Sequence, residues 1–303
     1  MYEELISFIR NIYKTNGFIP LHAPYLRGNE KKYLSSVVDT NFVSSVGKLV
    51  SNFENAIKQY TGSKYAIATV NGTSGLHICL KISGAHENTE VITQSLTFIA
   101  TCNAIRYCGA TPIFIDVDKN TLGLSLEALE NFLEENCELR DDGICWNIFT
   151  KKKIVACVPM HTFGFPTDCH QIKKICKKYN LQLIEDSAES LGSSFNGKHT
   201  GTVGDMGVLS FNGNKIITTG GGGMILTNSK RKANLARHLT TQAKIKSQWE
   251  FIHDQIGYNY RMPNLNAALG LAQIEKIEFI LKRKREIAEL YYSWGKKKWF
   301  YFF

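Results

Sequence analysis

No Cys-x-x-Cys pair and no histidine pair at zinc spacing occur in this chain, and no apolar run approaches the roughly eighteen residues that span a bilayer. A zinc-ribbon site and a membrane-spanning helix are thereby excluded. Eight cysteines are present, but they lie singly, several in helical or strand patterns (Cys79, Cys102, Cys157, Cys176), as reduced structural thiols do. The opening Met1-Tyr-Glu-Glu-Leu-Ile carries acids where a signal peptide carries bases, so the chain reads as cytoplasmic, with no membrane partner. Also missing are Gly-x-Gly-x-x-Gly, a Walker lysine motif and a Gly-x-Ser-x-Gly elbow. Their absence argues against a dinucleotide fingerprint, a P-loop and an α/β-hydrolase nucleophile.

What is present begins with size and charge. A chain of 303 residues exceeds what one core usually serves, so a large domain with a second, smaller unit is expected. The net charge of +9 raises the question of nucleic acid, yet Lys282 to Phe303 alone holds seven bases against two acids. Without that tail the body is mildly basic, which suits anionic small molecules and argues against a nucleic-acid partner.

Short β-rich runs alternate with amphipathic helices through most of the chain. The strands read as Tyr65 to Val70, Glu90 to Thr93, Thr111 to Val117, Ile154 to Met160, Leu181 to Asp186, Met206 to Phe211 and Met224 to Thr227. Helices read as Glu30 to Val38, Ser51 to Tyr60, Ser74 to Ile82, Phe98 to Cys108, Ser125 to Asn136 and Cys169 to Tyr179. This alternation predicts an α/β fold with a mainly parallel seven-stranded sheet between helices. The opening to Gly28 shows little periodicity, and Glu138 to Lys153 reads as a polar loop or insertion. Beyond Ser229 strands disappear: Ser229 to Lys246 reads as a basic helix, and Asn264 to Tyr292 as one long helix without proline. The aromatic run Trp299-Phe-Tyr-Phe-Phe303 has the character of a strand onset that packs elsewhere.

Open α/β sheets bind ligands at the carboxyl ends of their strands, and several reactive groups fall there. Asn71-Gly72-Thr73-Ser74 opens a helix directly after a strand, either as a simple N-cap or as a phosphate cradle of free N–H groups at a positive dipole end. Phe98 is either a core side chain or an aromatic platform at the rim. His161 ends one strand, and Glu185-Asp186 ends another, with Glu189 beyond. An aspartate in that position is often an N-cap, and a buried one needs a cation to stay ionised. Lys215 stands between two apolar strands, ahead of the run Gly220-Gly-Gly-Gly223, where four glycines suggest that something large packs closely. A phosphate cradle, an aromatic platform, a carboxylate and a lysine together suit pyridoxal 5'-phosphate.

Six ordered motifs make the set specific: Gly72-Thr-Ser, Thr97-Phe98, Glu185-Asp-Ser-Ala-Glu189, Gly201-Thr-Val-Gly-Asp205, Ser210-Phe-Asn-Gly-Asn-Lys215 and Gly257-Tyr-Asn-Tyr-Arg-Met262. From about Pro20 to Tyr292 the chain resembles the DegT/StrS-type sugar-nucleotide aminotransferases, which have the type I, aspartate aminotransferase-like fold. The resemblance implies that Lys215 bonds the cofactor aldehyde and that Asp186 partners the pyridine nitrogen. It further implies that Phe98 stacks on the ring, and that Glu189 meets the phenolic oxygen or the substrate. Gly72, Thr73, Ser74 and Ser210 match the phosphate site. Asn259 matches an asparagine that reaches the cofactor of a neighbouring subunit, which implies a homodimer. L-glutamate would give its amine, and a keto-sugar nucleotide would take it.

Within the family the glycine run is similar to the branch that aminates C4 of UDP-4-keto-6-deoxy-N-acetylglucosamine for bacterial surface glycans, since many relatives have Gly-Glu-Gly-Gly there. Enzymes of GDP- or dTDP-keto-sugars are the alternative. Family members usually continue several dozen residues further, so a large domain over 1–255 and an incomplete small domain over 256–303 are expected. A truncated, catalytically dead protein that only binds cofactor or a partner subunit is the competing reading.

Overall fold

The structure is a computed structural model and describes residues 2–245, 247 and 249–297. The aromatic run Trp299 to Phe303 lies outside the described residues. Three helices come first, α1 (Tyr2–Tyr13), α2 (Glu30–Asp39) and α3 (Lys48–Thr61). The alternating region follows as β1 (Tyr65–Thr69), α4 (Gly72–Ile82), β2 (Thr89–Gln94), α5 (Ile99–Tyr107), β3 (Thr111–Ile115) and α6 (Leu126–Asn136). A hairpin of β4 (Cys137–Leu139) and β5 (Cys145–Asn147) precedes β6 (Lys153–Val158), α7 (Cys169–Lys178) and β7 (Gln182–Asp186). A second small hairpin, β8 (Ser194–Phe195) and β9 (Lys198–His199), leads to β10 (Met206–Ser210) and β11 (Gly223–Thr227). The helices α8 (Lys230–Thr240), α9 (Asn264–Ile274) and α10 (Ile277–Lys297) complete the described fold.

The seven expected strands form one sheet in the order β1-β11-β10-β7-β6-β2-β3. Neighbours from β10 to β3 are parallel, and β11 alone runs against the rest. Both faces are covered, so the strands are apolar on both sides and alternate between cores. Met206 and Val208 of β10 pack with Ile67, Ile78 and Ala236 on one face. Leu209, the next residue along, packs with Phe53, Ile57 and Ala267 on the other. A third cluster joins Leu129 and Leu133 of α6 to Ile172 of α7 and Leu183 of β7. The carboxyl ends of six strands therefore share one edge, and β11 starts from that same edge at Gly223.

Four expectations are corrected. The opening is helical: α1 buries none of its residues, and Phe8 instead meets Tyr291 and Trp294 of α10 at 5.3 and 5.2 Å between ring centroids. Its partner lies at the far end of the chain, which hides its apolar stripe from local reading. Residues 138–153 are no plain loop, because β4 and β5 pair with each other and β5 extends the sheet through Cys145↔Ile154. The helix after Ser229 stops at Thr240, where Gln242 and Ala243 turn left-handed at φ 63 and 53°, and Thr241 bridges back to Asn259. The long C-terminal helix is two helices. Glu275, at the break, accepts from Asn29 Nδ2 at 2.7 Å and from Tyr33 Oη at 2.6 Å. Those anchors let Ile274, Ile277 and Ile280 all enter the core shared with Phe53.

Candidate active site

Adjacent acids end β7, and strand alternation sends them to opposite faces. Asp186 is buried, at 3% exposure. Its Oδ2 accepts from Thr101 Oγ1 at 2.7 Å and its Oδ1 from the Ala188 N–H at 3.2 Å. Burial pushes its pKa above the ordinary carboxylate value, against the hydrogen bonds from Thr101 and Ala188 and the nearby charge of Lys215. A buried carboxylate with so few donors favours a cation opposite it. Sequence position alone did not separate this aspartate from an N-cap; burial does.

Lys215 follows β10 across a short turn, its N–H bonding Asn212 O at 3.1 Å. The turn is anchored because Phe211 is fully buried and bonds Gly222 O and the Thr219 N–H, at 2.8 and 2.9 Å. The side chain of Lys215 is only 14% exposed, and its Nζ lies 3.0 Å from Glu189 Oε1. The other oxygen of Glu189 accepts the Phe163 N–H at 3.1 Å. Phe163 holds a left-handed backbone, φ 53°, the kind of strain that surrounding structure has to impose. Phe163, Phe165, Glu189, Asn214 and Lys215 line a cavity of about 410 Å³.

At the start of α4 the two readings of Asn71-Gly-Thr-Ser coexist. Asn71 caps the helix, its side chain accepting the Ser74 N–H at 2.7 Å. The amides of Gly72 and Thr73 have no protein partner among the described residues. A Cβ on Gly72 would come within 3.1 Å of Ser210 Cβ, so the helix start and the end of β10 form one tight corner. What packs against the glycine run is the chain itself: a Cβ on Gly223 would meet the Asn71 carbonyl at 2.5 Å. Gly220 needs its positive φ of 77°, whereas a Cβ on Gly221 would meet only Val70 O, at 3.8 Å. The packing partner expected beside all four glycines is therefore the chain itself beside two of them, since a Cβ on Gly222 would meet Thr219 Oγ1 at 2.1 Å.

Phe98 is not a core residue. It is 63% exposed and sits at the N-cap of α5, one turn before Thr101. Asn259 is exposed on a strip that flanks β1, where the Val70 N–H bonds Tyr260 O at 2.9 Å. No hydrogen bond joins it to Lys215, Glu189 or Asp186 among the described residues. The structure thus pairs Lys215 with Glu189, places the charge of Lys215 near enough to act on Asp186, and separately joins Gly72 to Ser210.

One participant was not legible from sequence: Thr101, whose spacing of three from Phe98 on one helix face was the available signal. Glu185 and His161 were noted at strand ends, but not their pairing. Glu185 is fully buried and accepts from the N–H groups of Gly201, Val203 and Gly204 at 2.8, 2.8 and 2.6 Å. His161 accepts the Thr167 N–H on Nδ1, at 3.0 Å, so its proton sits on Nε2, 3.0 Å from Glu185 Oε2. The ligand atoms of His161, Cys169 and Glu185 lie within 4.8 Å of one another. Both oxygens of Glu185 are already occupied, and the trio reads as a packing knot under the loop at 201–204.

The profile of the DegT/DnrJ/EryC1/StrS aminotransferase family matches residues 24–294. GDP-perosamine synthase of Escherichia coli O157:H7 is 42% identical over 90% of this chain and 70% of that protein. EpsN of Bacillus subtilis (strain 168), which carries pyridoxal phosphate dependence in its name, is 38% identical over 90% of this chain and 67% of that protein. Among solved structures, Helicobacter pylori PseC, an aminotransferase involved in the biosynthesis of pseudoaminic acid, superposes with a TM-score of 0.81 at 28% identity, covering 92% of this chain and 71% of that one. No helix among the described residues is long and apolar enough to cross a membrane.

Proposed function

The chain belongs to the DegT/DnrJ/EryC1/StrS aminotransferase family, and from that premise we propose that it moves an amine from L-glutamate to the keto group of a GDP-linked sugar. It is a sugar aminotransferase dependent on pyridoxal phosphate. The observation that carries the finer reading is the 42% identity to a GDP-perosamine synthase. It favours a GDP-sugar over the UDP-4-keto-6-deoxy-N-acetylglucosamine expected from the glycine run.

The residues present fit the cofactor. Asp186 is a buried carboxylate whose raised pKa a facing cation would offset. The Gly72–Ser210 corner, which a side chain on residue 72 would fill, offers amides without protein partners to a phosphate. Gly72, Thr73, Ser74 and Ser210 would hold the phosphate, Asp186 the pyridine nitrogen, Phe98 a ring face, and Lys215 the aldehyde. Bound there, pyridoxal phosphate supplies an electron sink and a temporary carrier for the amine.

The protein's own groups then have defined tasks. Thr101 and the Ala188 N–H fix Asp186 so that its charge faces one direction. Lys215 Nζ would take the proton from the amine-bearing carbon of the donor in one half and deliver one to the former keto carbon of the acceptor in the other, tethered so that no encounter from solution is needed. Glu189 holds that amine in place at 3.0 Å and, through Phe163, holds the cavity wall. Asn259 would serve the site of a second copy, so a homodimer is part of the proposal. Exposed Phe18, Leu21, Phe42, Trp249 and Ile256 offer apolar surface for it. The division at 255/256 is proposed likewise, with α9 and the first turns of α10 as the packed junction.

The direct test supplies L-glutamate with GDP-linked and UDP-linked keto-sugars in parallel and weighs the products. Amination of the GDP-sugar is expected; amination of the UDP-sugar alone would reverse the nucleotide assignment.

Asp186→Asn gives a second test, because its two effects have opposite signs. The folded pKa lies above the unfolded one, so the native state holds this proton more tightly. Stability of the cofactor-free protein therefore falls as pH rises from below the unfolded value through the folded one, and at neutral pH the ionised side chain destabilises it. The asparagine variant without cofactor should melt no lower than the wild type, and its kcat with cofactor should fall by about 10²-fold or more. Retained kcat with a lowered melting temperature would show Asp186 to be purely structural.

A further inference from the structure

The cavity beside Lys215 carries two more basic groups that the chemistry above leaves unused. His22, on the extended segment ahead of α2, and Lys284, on α10, both line it with Phe163, Phe165, Glu189 and Lys215. Lys284 Nζ lies 3.5 Å from His22 Nδ1. The imidazole nitrogen faces the amine there, as an acceptor does toward an ammonium donor. Among the described residues Lys284 forms no ion pair. Glu189 is the one acid lining this cavity among them, and its two oxygens are taken by Lys215 Nζ and the Phe163 N–H. A cation is thus held at the mouth of a partly aromatic cavity, with no carboxylate of the protein left to answer it.

We propose that Lys284, oriented by His22, binds a carboxylate of the amino donor, and so selects a dicarboxylic amino acid. The inference rests on the aminotransferase reading, which requires a donor to react at Lys215. Lys284 and Lys215 line the same cavity, so a donor reacting at one has its remaining carboxylate within the walls that hold the other. A volume of about 410 Å³ suits a small dicarboxylic acid; a nucleotide sugar would leave most of itself outside. Desolvation lowers the pKa of Lys284. Burial, and then the charge of Lys284, lower that of His22. A carboxylate at the mouth would offset the desolvation of the amine, as charge-assisted bonds do. Lys284 is then a binding residue and His22 a positioning residue.

The experiment titrates glutarate, an unreactive dicarboxylate, and separately GDP into the holoenzyme by calorimetry. The same titrations are made with Lys284→Met, Lys284→Arg and His22→Gln, each checked for an unchanged melting temperature. Lys284→Met is expected to weaken glutarate by about tenfold or more, and His22→Gln by less. Lys284→Arg is expected to stay within about threefold of the wild type, because it keeps the charge. GDP affinity is expected to be unchanged throughout. Unchanged glutarate affinity in Lys284→Met overturns the proposal, and so does a loss of GDP affinity in its place, which would assign the cation to the nucleotide diphosphate. A wild type that moves no amine from L-glutamate would overturn the function, while the glutarate titration would still decide the subsite.

Discussion

Lys215→Ala is expected to lose the visible absorbance of covalently held cofactor and to lower amine transfer by at least about 10³-fold. The change removes the group that both bonds the aldehyde and carries the proton, so no neighbouring side chain can replace it. Glu189, its partner at 3.0 Å, keeps the Phe163 N–H and a solvent-accessible side chain, 24% exposed. Folding should therefore suffer little, by about 1–2 kcal/mol. Lys215→Arg separates the two properties of the lysine. Its guanidinium is always charged and can keep the pairing with Glu189, but it is no nucleophile at neutral pH. That variant should melt near the wild type and be as inactive as alanine. A visible band retained in Lys215→Ala would remove the lysine from its assigned role, and activity in Lys215→Arg would show that only the charge matters.

The placement of Asp186 at the end of an apolar strand, and of Lys215 a short turn beyond another, was legible because an α/β sheet collects its ligands at that edge. The strands themselves were legible for the same reason: Leu183-Ile184 and Val208-Leu209 serve cores on both faces, and such runs have few other homes. Contacts between distant segments were not legible. Nothing near Glu275 announces Asn29 and Tyr33, so the single C-terminal helix expected there is broken by partners from the start of the chain. Glu54 is a similar case. It sits mid-helix in α3 as an ordinary surface acid would, yet it is buried, joining Arg261 and Arg237 and accepting the Ala68 N–H at 2.8 Å. Arg261 belongs to a quoted motif, but its partner is fixed only when α3 packs beside β1. The glycine run carried the resemblance to one substrate branch, yet its crowded members, Gly222 and Gly223, answer to Thr219 and to the backbone of Asn71.

Glu185→Ala is expected to destabilise the protein by about 3–5 kcal/mol, the cost of leaving a buried polar network without its central charge. Four donors converge on this carboxylate: the N–H groups of Gly201, Val203 and Gly204, and His161 Nε2. Alanine leaves all four without that acceptor, and of these the Gly201 N–H and His161 Nε2 are buried. Glu185→Gln keeps one oxygen but turns an amide donor toward two of those donors, so it should recover only part of the loss. The loop cannot easily settle elsewhere, because Gly201 rides directly on β10, where a Cβ on Gly207 would meet its carbonyl at 2.2 Å. Burial alone would raise the pKa of Glu185, but the hydrogen bond from His161 Nε2 and the amides of Gly204 and Gly201 outweigh it, and the net shift is downward. A depressed folded pKa means stability that is complete above the unfolded value and lost as pH falls through the folded one. The wild type should therefore lose melting temperature on acidification below the ordinary carboxylate range. Glu185→Ala should start lower and lose less over the same interval. Because Glu185 and Asp186 share one strand end on opposite faces, the loosened loop also frees the register of β7 against β10, on which Asp186 and Lys215 depend. Cofactor affinity should fall along with stability, and an unchanged affinity in a destabilised Glu185→Ala would show that the two faces of the strand act independently.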